Sequence, residues 1–511
     1  MMRRLRALSI FALAAPVFAL SAQQPTKPAA PAAGAAAAAP PADPCPIDLM
    51  QPTGLAVANL QRPKLANVKS VDDANKVMKD VSKMLFDDKQ KANPMGRDLL
   101  LAEFVTFYIN YADSAKRGDI GFPGDKAQYV DLLKVMDSLF TEVENAEPKC
   151  KGTTLGWRNY TPYTTRIKAA YAAVGAGAAD TAEKLATRAL ILNHTGPQPY
   201  DVLWRVAQLR KDEAKAISYL QMAADKLEGD TLNAVVRSNF LFTLGRIQQE
   251  YGEAKTDKAE KAKMYKDAAK AYLQVLKEFP TGDEAPFAMQ GISISAAVTS
   301  DTSISNAAVA IIKASPEKFT DQTLGQAGVL STAGGKTADA ITFFAAAAKV
   351  NPYFRDYLYN LAAMLYESKR APEMIPIVHD LIKLDPSNPD DLMLFTYAFT
   401  GVSNTTKDAA VKKWAIDSVQ YWGKLAEDMP QRVGFTDFQR QPNRTLLVGN
   451  VENHTKATKD YTIDFEFIGK DGAVLQKSTA TVTGVVAGGT GNFKVDFPVG
   501  GVYGFRYAPL K

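Results

Sequence analysis

The chain has 511 residues, with 60 basic and 55 acidic side chains, two cysteines and three histidines. This near balance, with no basic block, excludes the charge footprint of a nucleic-acid binder. Cys45, Cys150, His194, His379 and His454 lie too far apart for any metal-ligand spacing. The length is more than one ordinary core organises and suits a repeat array with an appended module.

Residues 1–22 carry Arg3, Arg4 and Arg6, then an apolar stretch from Ala7 to Phe18 and small residues at Ser21 and Ala22. This is the pattern of a secretory signal peptide cleaved near Ala22, and the stretch is too short for a spanning helix. No transmembrane span is expected after cleavage, and the expected location is periplasmic or secreted. Loss of the three arginines leaves the mature chain close to neutral. Residues 23–44 are dominated by Ala and Pro and read as a semi-extended linker. In an exported chain the pair Cys45 and Cys150 reads as one disulfide, with two free thiols or an intermolecular bond as the alternatives. Such a bond closes a loop of about 105 residues, for which the chain-entropy estimate is about 4–5 kcal/mol.

From Val71 to Pro430 the chain reads as amphipathic helical phrases separated by short turns, with strand signals almost absent. Helices are expected at 71–87, 96–115 and 125–145, and 45–150 is taken as an N-terminal helical cap. Pro280, Pro316, Pro352 and Pro386 then close similar phrases, 36, 36 and 34 residues apart. The phrase closing at Pro352 has Leu324, Ala327 and Gly328, then Ala340, Phe344 and Ala347; the one closing at Pro386 has Leu358, Leu361, Ala362 and Leu365, then Met374, Val378 and Leu381. The unit closing at Pro280 has Leu241, Leu244 and Gly245, then Ala268, Tyr272 and Val275, with about eleven extra charged residues at 253–263 that predict lengthened helices. This resembles the tetratricopeptide (TPR) repeat family, over about 160–428 and most closely over 238–386. Residues 160–193, 199–227 and 389–428 supply further helix pairs, so that 151–430 is expected to be a TPR-like α-solenoid continuous with the cap. Gly334-Gly335-Lys336-Thr337 superficially suggests a phosphate loop, but Leu330 stands where that motif needs its first glycine and a helix precedes it. The repeat phase makes it the turn between two helices.

After Pro430 the pattern changes to short alternating β-branched and aromatic runs at 444–451, 461–468, 473–482, 491–497 and 502–508. These predict a small antiparallel β-sandwich over 443–511, folding separately, with the segment before it as an exposed linker. Val448-Gly449-Asn450-Val451-Glu452-Asn453, the Asp471-Gly472 hairpin and Gly488-Gly489 ahead of Phe493 resemble the small Ig-like modules of exported bacterial proteins, in which such residues are structural.

The resemblance to TPR proteins implies a protein or peptide partner on the concave wall. Carried over by repeat phase, the wall positions are Asp356, Tyr359 and Tyr366, then Asp390, Met393 and Tyr397, with Asn239, Phe242 and Arg246 in the earlier unit. Tyrosines beside carboxylates suit peptide segments, since aromatic area comes with a hydrogen-bonding tip; the other reading is that they pack between helices. The leading expectation is a non-enzymatic interaction or scaffolding protein of the bacterial cell envelope, needing no cofactor. The alternative is a glycan-binding surface protein or an envelope hydrolase. It draws on Trp157, Trp204, Trp414 and Trp422, which are scattered, and no carboxylate pair or Ser-His-Asp phrase stands out.

Overall fold

The computed structural model describes residues 45–65, 67–87 and 92–510. The expected signal peptide (1–22) and Ala/Pro linker (23–44) lie outside the described residues. The described chain divides between Leu244 and Gly245 into two compact units. It is mainly helical, ending in antiparallel sheets, as expected.

The first unit opens with α1 (Thr53–Asn59), α2 (Arg62–Leu65), α3 (Val71–Leu85) and α4 (Pro94–Tyr108). Ser70 caps α3 by accepting from the Asp73 N–H at 3.2 Å, and Asn93 caps α4. The segment expected to be helical up to 115 instead forms a two-stranded ribbon, β1 (Ser114–Lys116) with β2 (Tyr129–Asp131), around α5 (Arg117–Ile120). The left-handed Gly121, at φ 73°, stops that short helix, and Tyr129-Val130 favours the extended form. Asp131 then caps α6 (Leu132–Ala146). Cys45 is bonded to Cys150, tying the start of the described chain to the end of this cap. α7 (Lys151–Arg158) follows. Its Arg158, 3% exposed, meets Asp137 at 2.6 Å and Glu144 at 2.9 Å and donates to the Leu192 carbonyl at 3.2 Å. These buried partners fix the cap against the next helix pair.

Two helix pairs complete this unit: α8 (Thr161–Gly175) with α9 (Ala179–Leu192), and α10 (Gln198–Leu209) with α11 (Glu213–Asp225). Their contact faces are rich in alanine, with Ala170, Ala182, Ala186 and Ala207 buried. Small side chains let helix axes approach closely. The lengthened helices are α12 (Ala234–Glu253), which carries the division between units, and α13 (Lys258–Glu278).

In the second unit, α14 (Ala285–Thr299) and α15 (Thr302–Ala314) precede three regular pairs. These are α16 (Asp321–Ala333) with α17 (Thr337–Val350), α18 (Arg355–Glu367) with α19 (Ala371–Leu384), and α20 (Pro389–Thr405) with α21 (Ala409–Glu427). The first helices begin at 321, 355 and 389, 34 residues apart each time. Gly335 (φ 69°) and Lys369 (φ 59°), also 34 apart, hold the left-handed corner between the two helices of a pair. The Gly-Gly-Lys-Thr stretch is therefore a turn. A Cβ on Gly328 would lie 2.6 Å from the Phe344 ring, so that glycine admits the ring between paired helices. Phe344, Leu358, Ala362, Leu365, Met374, Val378 and Leu381 form the core of these repeats.

The strands begin at once after α21. β3 (Gln431–Gln441), β4 (Arg444–Asn453) and β7 (Thr490–Phe497) make one antiparallel sheet in the order β3-β4-β7; β5 (Lys459–Gly469), β6 (Val474–Val485) and β8 (Val502–Tyr507) make a second in the order β6-β5-β8. Val433, Leu447, Phe465, Phe467, Phe493 and Phe505 fill the core of the strand region. The segment expected as a linker is thus the first strand, paired along its length with β4. Its apolar residues Val433, Phe435 and Phe438 share the core face only because of the bulge between Phe435 and Asp437, which breaks the alternation in the sequence. Asn453 is fully buried, its Nδ2 donating to Ala457 O at 2.8 Å and Val485 O at 2.9 Å, and Gly472 and Gly488 have positive φ. These residues serve the fold of the module.

Candidate interaction surface

The strand module is docked along the turns between repeats. Asp321, at the start of α16, accepts from Arg440 Nη2 of β3 at 2.8 Å, from Asn351 Nδ2 at 2.8 Å and from the Tyr357 hydroxyl at 3.3 Å. Asn351 also donates to the Tyr503 carbonyl at 2.8 Å. One repeat later, Val433 N–H donates to Ser387 O at 2.9 Å, and the Tyr507 hydroxyl donates to Asp385. Phe354 and Phe438 lie 5.8 Å apart between the two parts, with the Arg440 guanidinium 5.2 Å from the Phe354 ring.

Behind this seam lies a buried charge cluster. The Arg355 guanidinium is 2.7 Å from Asp385, 2.8 Å from Asp356 and 3.8 Å from Asp391, and 5.5 Å from the Phe435 ring. Burial by itself would lower the pKa of Arg355, but the carboxylates of Asp385, Asp356 and Asp391 outweigh it and hold the group charged. Asp391 is fully buried; burial first, then the neighbouring Asp385, push its carboxyl well above the usual carboxylate range. Burial and Asp385 likewise raise Tyr507. Asn351 and Asp385, each just before a closing proline and 34 residues apart, are both fully buried. A polar residue at that repeated place was the sequence signal of the seam, and it reads as ordinary turn chemistry until its partner is known.

This seam decides the surroundings of the expected wall residues. Tyr359 is 7% exposed and belongs to the repeat core, which corrects its expected place on an open surface. Its hydroxyl pKa is raised by burial and by the charges of Asp391 and Asp390. Asp356 is held by Arg355, and Asp390 by Arg432 of β3 at 2.7 Å, so both carboxylates are engaged. Tyr366 and Tyr397, on the successive first helices α18 and α20, remain half-buried, with ring centres 5.3 Å apart. Burial, Tyr366 and Asp390 together raise the Tyr397 pKa, keeping its hydroxyl protonated. Neither phenol oxygen has a hydrogen-bond partner among the described residues. Met393, also half-buried, lies one turn before Tyr397 on α20.

The three earlier positions share α12. Asn239 is exposed and donates to its own helix at Val235 O, 3.1 Å, and Phe242 is half-buried. Arg246 pairs with Glu250 at 3.2 Å. The tryptophans are not gathered: Trp204 donates to Asp201 at 2.6 Å, Trp157 packs on Tyr160 at 5.4 Å, and Trp414 and Trp422 lie on α21. Among the described residues no cluster of His, Cys, Asp and Glu could hold a metal ion, and no helix is long and apolar enough to cross a membrane.

No family model and no curated protein matches the chain. Solved structures similar to it include one from a functional characterization of PilF of Pseudomonas aeruginosa, 15% identical with a TM-score of 0.21, which aligns 52% of this chain with 90% of that one. Another is the TPR2AB domain of yeast Sti1 in a complex with pHSP90, 14% identical with a TM-score of 0.20, aligning 52% of this chain with 98% of that one. At such scores these likenesses carry no argument; the repeat architecture rests on the 34-residue recurrence of helices, corners and buried turn residues described above.

Proposed function

We propose that this chain is a non-enzymatic interaction or scaffolding protein of the bacterial cell envelope, exported by its N-terminal segment and binding an extended protein or peptide segment along its first helices. The observation that carries the reading is the Tyr366–Tyr397 pair. Two half-exposed rings stand side by side on successive repeats, with hydroxyls that have no partner among the described residues and the flexible Met393 one turn before Tyr397. Aromatic rings of this kind bring large apolar area at low entropy cost together with a hydrogen-bonding tip. The engaged carboxylates Asp356 and Asp390 make charge a minor part of recognition. The strand module, which we read as Ig-like, braces the repeats by filling the seam at their turns, so the first helices form a stiff surface.

Photo-crosslinking residues introduced at 366 or 397 in the exported protein, followed by mass spectrometry, test the reading. A protein segment crosslinked at both positions, with capture reduced at least tenfold by Tyr397→Ala at unchanged melting temperature, is the expected result. Undiminished capture by the stable Tyr397→Ala variant, or a glycan in place of a protein, overturns it.

A further inference from the structure

The last helix of the repeats carries an apolar stripe that the described residues leave exposed. On α21, Val411, Trp414, Tyr421 and Leu425 are 37%, 51%, 62% and 41% exposed, with Ser418 in the middle. The spacing 411, 414, 418, 421, 425 alternates three and four residues, the seam of a helix that packs along another helix. The inner face of the same helix is already used: Ala415 and Ala426 are buried, and Trp422 stacks on Phe395 at 4.4 Å. The stripe is therefore an additional face. It is also held rigid, since Trp414 meets Phe399 edge-on at 5.0 Å and Tyr421 meets Trp422 at 5.0 Å. In a repeat array this is the side on which a following unit would stack, and terminal units need cover there.

The geometry points to a second copy of this chain as the occupant, its α21 laid antiparallel against the first about a two-fold axis between Val419 and Gln420. Three features fit that partner. The stripe is self-complementary in size: reversal sets Trp414 against Leu425 and Tyr421 against the small Ser418, which allows close approach. The flanking charges also match under reversal. Asp417 has no ion-pair partner among the described residues, while Lys424, seven residues on along the same flank, is 78% exposed and pairs with Asp428, just past the end of its helix, at 3.1 Å. An antiparallel pair sets each Asp417 against the Lys424 of the other copy. Finally, the four apolar residues offer on the order of 400 Å² per copy; two copies plus their polar rim reach about the 1,000 Å² expected of a specific interface, at its weak end.

Sedimentation equilibrium of the mature full-length chain between 1 and 100 µM tests this (an assay range on the order of the weak affinities expected). The wild type is expected to shift from monomer to dimer within that range. Trp414→Glu and Tyr421→Glu are expected to remain monomeric at an unchanged melting temperature. Asp417→Lys and Lys424→Asp should each weaken the dimer about tenfold or more, and the double variant should restore it. The disulfide occupies both cysteines, so Ser418→Cys gives a single reactive thiol, and a short bismaleimide should link two copies through it. A wild type that stays monomeric throughout the range overturns the proposal. So does a dimer that persists in stable Trp414→Glu and Tyr421→Glu variants, or a double charge exchange that fails to restore association. None of these outcomes touches the Tyr366–Tyr397 reading, which is scored by partner capture.

Discussion

Replacing Arg355 by methionine is expected to be among the most damaging single changes in the second unit. The side chain is 10% exposed and lies between three carboxylates, two of which, Asp385 and Asp391, are fully buried. Methionine keeps much of the volume against Phe435 but leaves those carboxylates without their cation. Breaking a buried ion pair from one side costs about 3–5 kcal/mol. For a unit of this size about 1 kcal/mol moves the midpoint by about 2–4 °C, so the transition should drop by roughly 10 °C. The pH dependence carries a sign. The Asp391 carboxyl is raised above its ordinary value by burial and Asp385, with Arg355 opposing. A raised folded-state pKa contributes stability that is present at low pH and is lost as pH rises through it. Asp391→Asn should therefore remove a decline in stability that the wild type shows on the alkaline side of the usual carboxylate range. Arg355→Met should do most harm at neutral and higher pH, less in acid where the carboxyls are neutral, and adding Asp385→Asn should recover part of the loss. Calorimetric melts of the mature protein across pH measure all of this. An Arg355→Met variant within about 1 kcal/mol of the wild type at neutral pH would refute the view of the cluster as a buried, charge-balanced brace.

Three further outcomes follow from the packing. Tyr359→Ala should cost about 3–5 kcal/mol as a large-to-small core change, whereas Tyr397→Ala should cost under about 1.5 kcal/mol, as equilibrium urea unfolding will resolve. Gly504 of β8 lies so close to the Tyr353 carbonyl that a Cβ would overlap it. Gly504→Ala should loosen the seam and open the join at 428–431 to proteases that the wild type resists, and equal resistance in both would mean that the seam yields without undocking. Reduction of Cys45–Cys150 should destabilise the first unit by up to about 4–5 kcal/mol, given its 105-residue separation. A melting curve unmoved by reductant would show that the bond closes nothing the fold does not already hold.

The periodic part of this protein was legible in its sequence because it is local. Leu, Ala and aromatic spacing on each helix, left-handed corners at Gly335 and Lys369, and aspartate caps such as Asp212, Asp257 and Asp408 act over a few residues, and a 34-residue period repeats them. The change to strands was legible for the same reason, although Gln431–Gln441 was not, because a bulge between Phe435 and Asp437 breaks its alternation and the run looks like a loop before its partner β4 is known. The docking of the strands on the repeats depended on tertiary structure. Arg440 and Asp321 stand 119 residues apart, and Tyr507 and Asp385 stand 122 apart, with no local pattern linking them. That seam in turn decided the wall. The repeat phase put Tyr359, Tyr366 and Tyr397 on one helical face, but which rings stay open depends on what lies across from them. Tyr359 is closed into the core, Arg432 arrives from β3 to take Asp390, and Tyr366 and Tyr397 keep hydroxyls with no partner among the described residues. The sequence by itself determined the periodicity of the fold, since helix and corner energies are additive along the chain; exposure depends on distant segments meeting, so only the tertiary structure decided it.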